Sequence, residues 1–534
     1  MTGIETVLGL LLAALLITLL AKKWEQPYPI ALVLGGLALS RLGPIAHIEL
    51  DPEIVFFLLL PPILMEAAFF TSWRDFLRYK RPILMLAFGL VAATSFLVAA
   101  LCVWFVPGIP WAVGLTLGAI VSPPDAAAAT SITRGLKLPR RVVQIIEGES
   151  LVNDAAGLTL YRFAVATVLT GTFSFVEASL AFLWISIGGA AIGFAITWLY
   201  VRFYRFWSDI ESEILSGFLL SYLAYFAAEQ VHASGVMAVV VAGLYLGWHA
   251  PTIMTASSRI RAFAVWRMVI FLINAFIFLL IGLQLPRVIS GLEGYPPMDL
   301  ARWCGVILFG VIAVRMIWVY IGAYLPRKLS ERICQTEPDP GVRGVAVVGW
   351  TGLRGVVSLA AALALPVETA NGLPFPYRNF ILFASFTIIL GTLVLQGLTL
   401  RPLILWLKLP EDKSSEEEVL NAKIRVTERV MERIVEMEEQ GHCTGAVFQR
   451  VKGFYEDRLT DLRARLEQEA GAEAIEQPSG FRTLQEQRIW WDLARVEREA
   501  LVSLRRAQEI GDETLHEIER EIDLLESRIT PHAT

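Results

Sequence analysis

Cysteine is scarce in this chain. There are four in 534 residues (Cys102, Cys304, Cys334 and Cys443), scattered, with no Cys-x-x-Cys pair and no histidine at ligand spacing. That pattern excludes a disulfide framework and a zinc site. Charge is scarce too: 18% of residues are charged and 55% are hydrophobic, where a soluble globular chain carries about a quarter charged. Phosphate-loop and metalloprotease motifs are absent, so no energy source other than an ion gradient is indicated. Gly148-Glu149-Ser150 opens like a hydrolase nucleophile elbow, but Val152 stands where that motif needs a glycine for its sharp turn. No enzyme activity, cofactor or nucleic-acid partner is expected. Met1 to Leu8 hold no positive charge, and Lys22-Lys23 follow the first apolar run. This is the reverse of a cleavable signal peptide, so the first segment is expected to stay as a helix.

What the chain has instead is apolar length. About thirteen stretches recur from 3–21 to 379–407, among them 52–72, 110–132, 142–170, 300–326 and 343–366. Crossing a bilayer takes ~20 residues at 1.5 Å per residue. The fold expected is an all-α polytopic membrane protein. Lys and Arg collect in alternate connections (Lys22/Lys23; Arg74/Arg78/Lys80/Arg81; Arg134/Lys137/Arg140/Arg141; Arg327/Lys328/Arg332/Arg343). With thirteen spans, this places the N-terminus outside and the C-terminus in the cytoplasm, in the plasma (inner) membrane among its lipids. Residues 1–410 read as the transport domain. Beyond Pro410 the chain turns Glu- and Arg-rich, with apolar positions three or four apart, so 411–534 reads as a cytoplasmic helical tail, either a small bundle or a dimerising coiled segment.

Two motifs break the apolar pattern. Ser122-Pro123-Pro124-Asp125 interrupts one stretch, because proline donates no backbone hydrogen bond and clashes with the preceding turn. Glu147-Gly148-Glu149-Ser150-Leu151-Val152-Asn153-Asp154 puts three acids into the next. Intramembrane carboxylates are costly and rarely kept without a task. If segments 1–6 and 8–13 form two inverted six-helix units, the fifth corresponds to the twelfth. There Gly349-Trp350-Thr351-Gly352-Leu353-Arg354-Gly355 interrupts the run again. Paired interruptions at corresponding positions mark the ion site of a secondary transporter. A channel is the competing class, but interrupted helices with a buried acid favour alternating access.

Ser122-Pro123-Pro124-Asp125, Gly148-Glu149-Ser150-Leu151-Val152-Asn153-Asp154 and Gly352-Leu353-Arg354-Gly355-Val356 resemble the core motifs of the NhaP/NHE sodium–proton exchangers, within the monovalent cation:proton antiporter superfamily. Leu60–Ala67 and Ser234–Leu244 are similar to two further signatures, in the same order across about residues 1–410. The resemblance implies that Asp154 is the carboxylate that takes H⁺ and Na⁺ in turn, that the protein is a homodimer, and that its activity serves pH homeostasis. Ser150, one turn from Asp154, could offer an oxygen to the ion or bond back to its own helix. Asp125 is either an ion ligand at the break or a balance for the dipole of the opposing half-helix. A Na⁺ site is therefore expected at Asp154, Asp125 and Ser150. Asn153 stands where electrogenic relatives have a second aspartate, and is expected to hold the break by hydrogen bonds. Pro124 replaces a common threonine, which keeps the carbonyl, loses the hydroxyl and leaves the choice among Na⁺, Li⁺ and K⁺ open. Glu66 either reaches the ion through water or lines the cavity. Glu149 and Arg354 are expected to form a structural salt bridge, since each alone would be prohibitive in hydrocarbon. Arg267 and Arg315 are also intramembrane, with no partner legible. Gly189-x-x-x-Gly193 is a small-residue packing motif.

Overall fold

The computed structural model describes residues 3–24, 26–41, 54–133, 136, 138–171, 175–206, 209–292, 295–337, 339–369, 372–409, 413–440, 446–468 and 484–529. Among them every regular element is a helix, and one isolated bridge joins Glu368 and Pro374. In chain order the helices are α1 (Gly3–Lys23), α2 (Tyr28–Leu39), α3 (Leu60–Phe70), α4 (Trp73–Arg78), α5 (Lys80–Leu84), α6 (Val91–Phe105), α7 (Trp111–Val121) and α8 (Ala126–Thr133). Then come α9 (Arg140–Thr170), α10 (Phe175–Phe203), α11 (Ile210–Gln230), α12 (Gly235–Ile253), α13 (Ala256–Ser290), α14 (Pro297–Leu329) and α15 (Glu331–Thr336). They are followed by α16 (Val342–Trp350), α17 (Val356–Leu363), α18 (Arg378–Leu407), α19 (Lys413–Glu439), α20 (Ala446–Gln468), α21 (Leu484–Arg506) and α22 (Asp512–Ile529). π-helical turns at Ile54–Leu59 and Met85–Leu90 lead into α3 and α6.

Among the described residues seven segments are long and apolar enough to cross a membrane: Lys80–Phe105, Trp111–Thr133, Leu180–Phe203, Gly235–Ile253, Ala256–Ser290, Pro297–Leu329 and Arg378–Leu407. The 31-residue α9 is not among them. Its Glu147, Glu149, Asp154 and Arg162 lower its hydropathy, although the stretch 142–170 reads as apolar in the sequence. Caps fix where the helices begin. Ser234 accepts from Met237 N at 3.1 Å to start α12, Thr255 accepts from Ser258 N at 3.2 Å to start α13, and Asp209 accepts from Ser212 N at 2.8 Å to start α11. Gly171, with φ of 73°, ends α9 by donating to Thr167 O.

The small-residue motif in α10 packs inside the chain. A Cβ on Gly189 would strike Ser234 O, on the cap of α12, and one on Gly193 would strike Ala238 O, in its first turn. These glycines therefore serve backbone contact between α10 and α12 rather than a surface for a second copy.

Helices α19 to α22 form a bundle of their own. Val430, Ile434, Tyr455, Leu493 and Leu525 are buried at one end, and Val426, Ala494, Leu515 and Ile522 at the other. Gly441, Gly471 and Pro478-Ser479-Gly480, whose residue types break helical runs in the tail sequence, lie outside the described residues. The bundle docks on the ends of α3, α4, α9, α12 and α13. Arg259 of α13, 1% exposed, holds Asp523 at 2.6 and 3.0 Å and Glu519 at 3.5 Å. Arg505 stacks 4.0 Å above the Trp248 ring, and His516 meets Phe70 and Phe263 edge-on.

Glu418 joins four elements at this seam. It accepts from Gly511 N at 2.6 Å and Thr514 Oγ1 at 3.0 Å, and lies 3.4 Å from Arg74 and 3.5 Å from Arg140. Burial raises its carboxyl, but the Gly511 amide, Arg74, Thr514 and Arg140 outweigh that and leave it below the ordinary 4.5. A depressed value means the anchor is complete above 4.5 and is lost as pH falls through the docked value. Protease cleavage of the tail should therefore rise on acidification more steeply in the native protein than in Glu418→Gln, which has no charge there to lose. Identical pH profiles would show that Glu418 does not anchor the tail.

Candidate functional site

The site is built where two interrupted helices meet. α7 stops at Val121 and α8 starts at Ala126; α16 stops at Trp350 and α17 starts at Val356. The two irregular segments touch directly, with Asp125 N donating to Leu353 O at 2.7 Å. Four helix ends thus converge, two N-termini (α8, α17) and two C-termini (α7, α16), each with unsatisfied backbone groups.

Charged side chains answer those ends. Asp125 Oδ1 accepts from Ala127 N at 2.9 Å and Ala128 N at 3.4 Å, capping α8. Its other oxygen lies against Gly355 at the mouth of α17, so close that any Cβ on Gly355 would overlap it. Glycine at 355 is what lets one carboxylate face both N-termini. Across the crossing, fully buried Arg354 donates from Nη1 to Ser122 O, the residue that ends α7, at 2.5 Å, and its amide donates to Thr392 Oγ1 at 3.2 Å. A cation beside the C-terminal carbonyls complements the anion beside the amides.

The salt bridge differs from the expected one. Glu149 pairs with Arg315, not with Arg354. The bridge is bidentate, with Nη1 at 2.6 Å from Oε1 and Nη2 at 2.8 Å from Oε2, both side chains 1% exposed. Arg315 Nη2 also donates to Val348 O at 3.1 Å, so the bridge ties α9 to α14 and α16. Its guanidinium reaches past Gly352, whose missing Cβ leaves the room: one there would meet Arg315 Cδ at 2.5 Å. Arg354 is committed to the crossing instead. Arg267, the other arginine without a legible partner, lines a cavity of about 790 Å³ together with Lys22, Lys23 and Arg401.

A smaller cavity of about 350 Å³ reaches the crossing. Asp154, Asp125, Ser150, Glu66, Pro123, Pro124 and Gly355 all line it. Asp154 is 8% exposed and has neither hydrogen bond nor cationic partner among the described residues. Ser150 Oγ accepts from Ala126 N at 3.2 Å, so it bonds to the start of α8 rather than back to its own helix. Asn153, fully buried and outside the cavity lining, donates from Nδ2 to Pro124 O at 3.1 Å and braces the break. Glu66 stands where the two cavities meet. The lining includes one acid to which sequence reading gave no task, Glu147; its spacing of seven from Asp154, two turns on one helix face, was the available signal.

A helical membrane fold that holds an unpaired carboxylate against a crossing of interrupted helices is the architecture of a secondary transporter. Residues 10–406 match the model of the transmembrane sodium/hydrogen exchanger family, and the chain belongs to that family. It is 30% identical to an Na(+)/H(+) exchanger of Mycobacterium tuberculosis over 99% of this chain and 96% of the relative. It is 32% identical to a sodium, potassium, lithium and rubidium/H(+) antiporter of Bacillus subtilis over 70% of this chain and 57% of that one. The fold resembles the sodium proton antiporter MjNhaP1 of Methanocaldococcus jannaschii, with a TM-score of 0.57, 22% identity, and coverage of 76% of this chain and 99% of that one. As a member, the protein is a membrane-embedded, multi-pass cation/proton antiporter.

Proposed function

We propose that this antiporter exchanges cytoplasmic Na⁺ for external protons, one for one, by alternating access, with Asp154 as the group that both ions occupy in turn. The observation that carries this reading is the unpaired Asp154 carboxylate on a cavity at the crossing. Such a group is neutralised by a proton or by an alkali cation, hardly by both. Ser150 and Asp125 supply the further oxygens that a hard cation wants, with Asp125 set between two helix N-termini. With an amide at 153 beside it, Asp154 exchanges one charge for one charge. The membrane part, residues 1–410, then makes about thirteen crossings in two inverted units, N-terminus outside, with 411–534 in the cytoplasm. The protein works as a homodimer in the plasma membrane.

Pro124 supports a second reading, a K⁺-preferring exchanger, since no threonine hydroxyl is present there to shorten the coordination shell. One experiment tests both. In proteoliposomes carrying a pH dye, Na⁺ is expected to move protons, and a panel of Li⁺, Na⁺ and K⁺ ranks the cations. An imposed membrane potential should leave the steady-state Na⁺ gradient unchanged. A gradient that follows the voltage would overturn the one-for-one reading.

A further inference from the structure

Glu147 lies outside every role given above. It is half-buried on α9, and it has no hydrogen bond and no cationic partner among the described residues. Glu147, Ser150, Leu151 and Asp154 occupy i, i+3, i+4 and i+7 of one helix, and all four line the same cavity. Arg140, two turns before Glu147, is held by Glu513 of α22 at 2.9 Å and by Glu418. It is therefore engaged at the tail and does not answer Glu147. The charged groups facing Glu147 are Glu66 of α3 and Glu513 of α22, both acids. α8 contributes only Ala126, Ala127 and Thr130 to the lining. A carboxylate with no counter-charge among the described residues, on the wall of a transport cavity and near two other acids, has no structural task there that glutamine or an apolar residue would not perform at lower cost.

We propose that Glu147 is the relay carboxylate of the cytoplasmic entry, taking the proton released by Asp154 and presenting the incoming alkali cation to it. This rests on the reading of Asp154 as the exchanging group. Seven residues at 1.5 Å separate the two by about 10 Å along the axis, a span for Ser150 and water in a cavity with room for several molecules. In the step, the proton leaves an Asp154 oxygen through water and binds a Glu147 oxygen, so Asp154 becomes the carboxylate and Glu147 the acid. Glu147 then gives the proton to bulk water and is a carboxylate again. It ends each cycle as it began, so the relay adds no charge to the stoichiometry. Glu513 brings a tail carboxylate to this entry, which gives the docked bundle a place at the edge of the ion path.

The test uses the full-length protein in proteoliposomes, with whichever alkali cation the wild type exchanges. Glu147→Gln should raise the apparent KM for the cation and lower the rate at saturation by about tenfold. That is less than the ~100-fold supplied by a directly transferring group, because water partly bypasses a relay. Its rate should also lose the part of the pH dependence that wild type shows and Glu147→Asp keeps, in shifted form. A Glu147→Gln protein with wild-type KM, rate and pH profile would overturn the relay. If Glu147→Gln does not fold, Glu147→Asp decides: an unchanged pH profile there rejects the proposal. Asp154→Asn in the same vesicles keeps the two ideas apart. Exchange by Asp154→Asn would sink the Asp154 reading, whereas an unaffected Glu147→Gln beside an inactive Asp154→Asn sinks the relay alone.

Discussion

Asp154→Asn is expected to abolish alkali-cation-driven proton movement while leaving folded protein in the membrane. The amide can neither bind a proton reversibly nor offset a cation's charge. Because Asp154 holds no hydrogen bond or ion pair among the described residues, its removal deprives no neighbour of a partner. Melting temperature and size-exclusion profile should match wild type while exchange falls to the level of empty vesicles. Asp125→Asn is a different lesion. It removes the anion shared by the starts of α8 and α17, so exchange and thermal stability should fall together. Exchange by purified Asp154→Asn at the wild-type rate would show that the ion passes elsewhere.

The second large effect concerns the buried bridge. Arg315→Ala should lower unfolding stability by roughly 3–5 kcal/mol, because it leaves Glu149 charged and unpaired in the interior. Neutralising both, as Glu149→Gln with Arg315→Gln, should recover much of the loss. A double-mutant cycle measured by thermal unfolding in detergent then gives a coupling well above the few tenths of a kcal/mol found for separate sites. Arg354 is the control. Its loss leaves Ser122 O without its donor but leaves the Glu149–Arg315 bridge intact, so Arg354→Ala should add to the Glu149 effect less cooperatively than Arg315→Ala does. Strict additivity for the 149/315 pair would mean the bridge is not formed in the membrane.

The contrast between these two arginines shows what the sequence could carry. The break at Pro123-Pro124 and the stripe from Ser150 to Asp154 are local: proline chemistry and helical spacing place them without knowledge of the rest of the fold. The helical class was equally legible, from apolar runs alone. Which arginine takes Glu149 is not local. The bridge spans 166 positions, and both candidates lie in apolar runs. The choice rests on the groove beside Gly352, which admits Arg315, and on the carbonyl end of α7, which claims Arg354. Glu147 has no task legible in the sequence for the opposite reason: its spacing is visible, but only a cavity wall gives that spacing a meaning. Gly189 and Gly193 show a third limit, since a small-residue stripe announces a close contact without saying with which helix.

The anchor between Arg259 and Asp523 also has a consequence in time. The two residues lie 264 positions apart. At a synthesis rate of about 5–20 residues per second, Arg259 leaves the ribosome some 10–50 s before its partner exists. Meanwhile the ends of α12 and α13 carry an arginine that water, not a carboxylate, must satisfy. Docking of α22 is therefore a late step of biogenesis, added to a membrane part that has already inserted. A ribosome that stalls before Asp523 would leave an inserted chain whose tail-docking face still presents Arg259, Phe70 and Trp248, the surface that a protease or chaperone would read as unfinished.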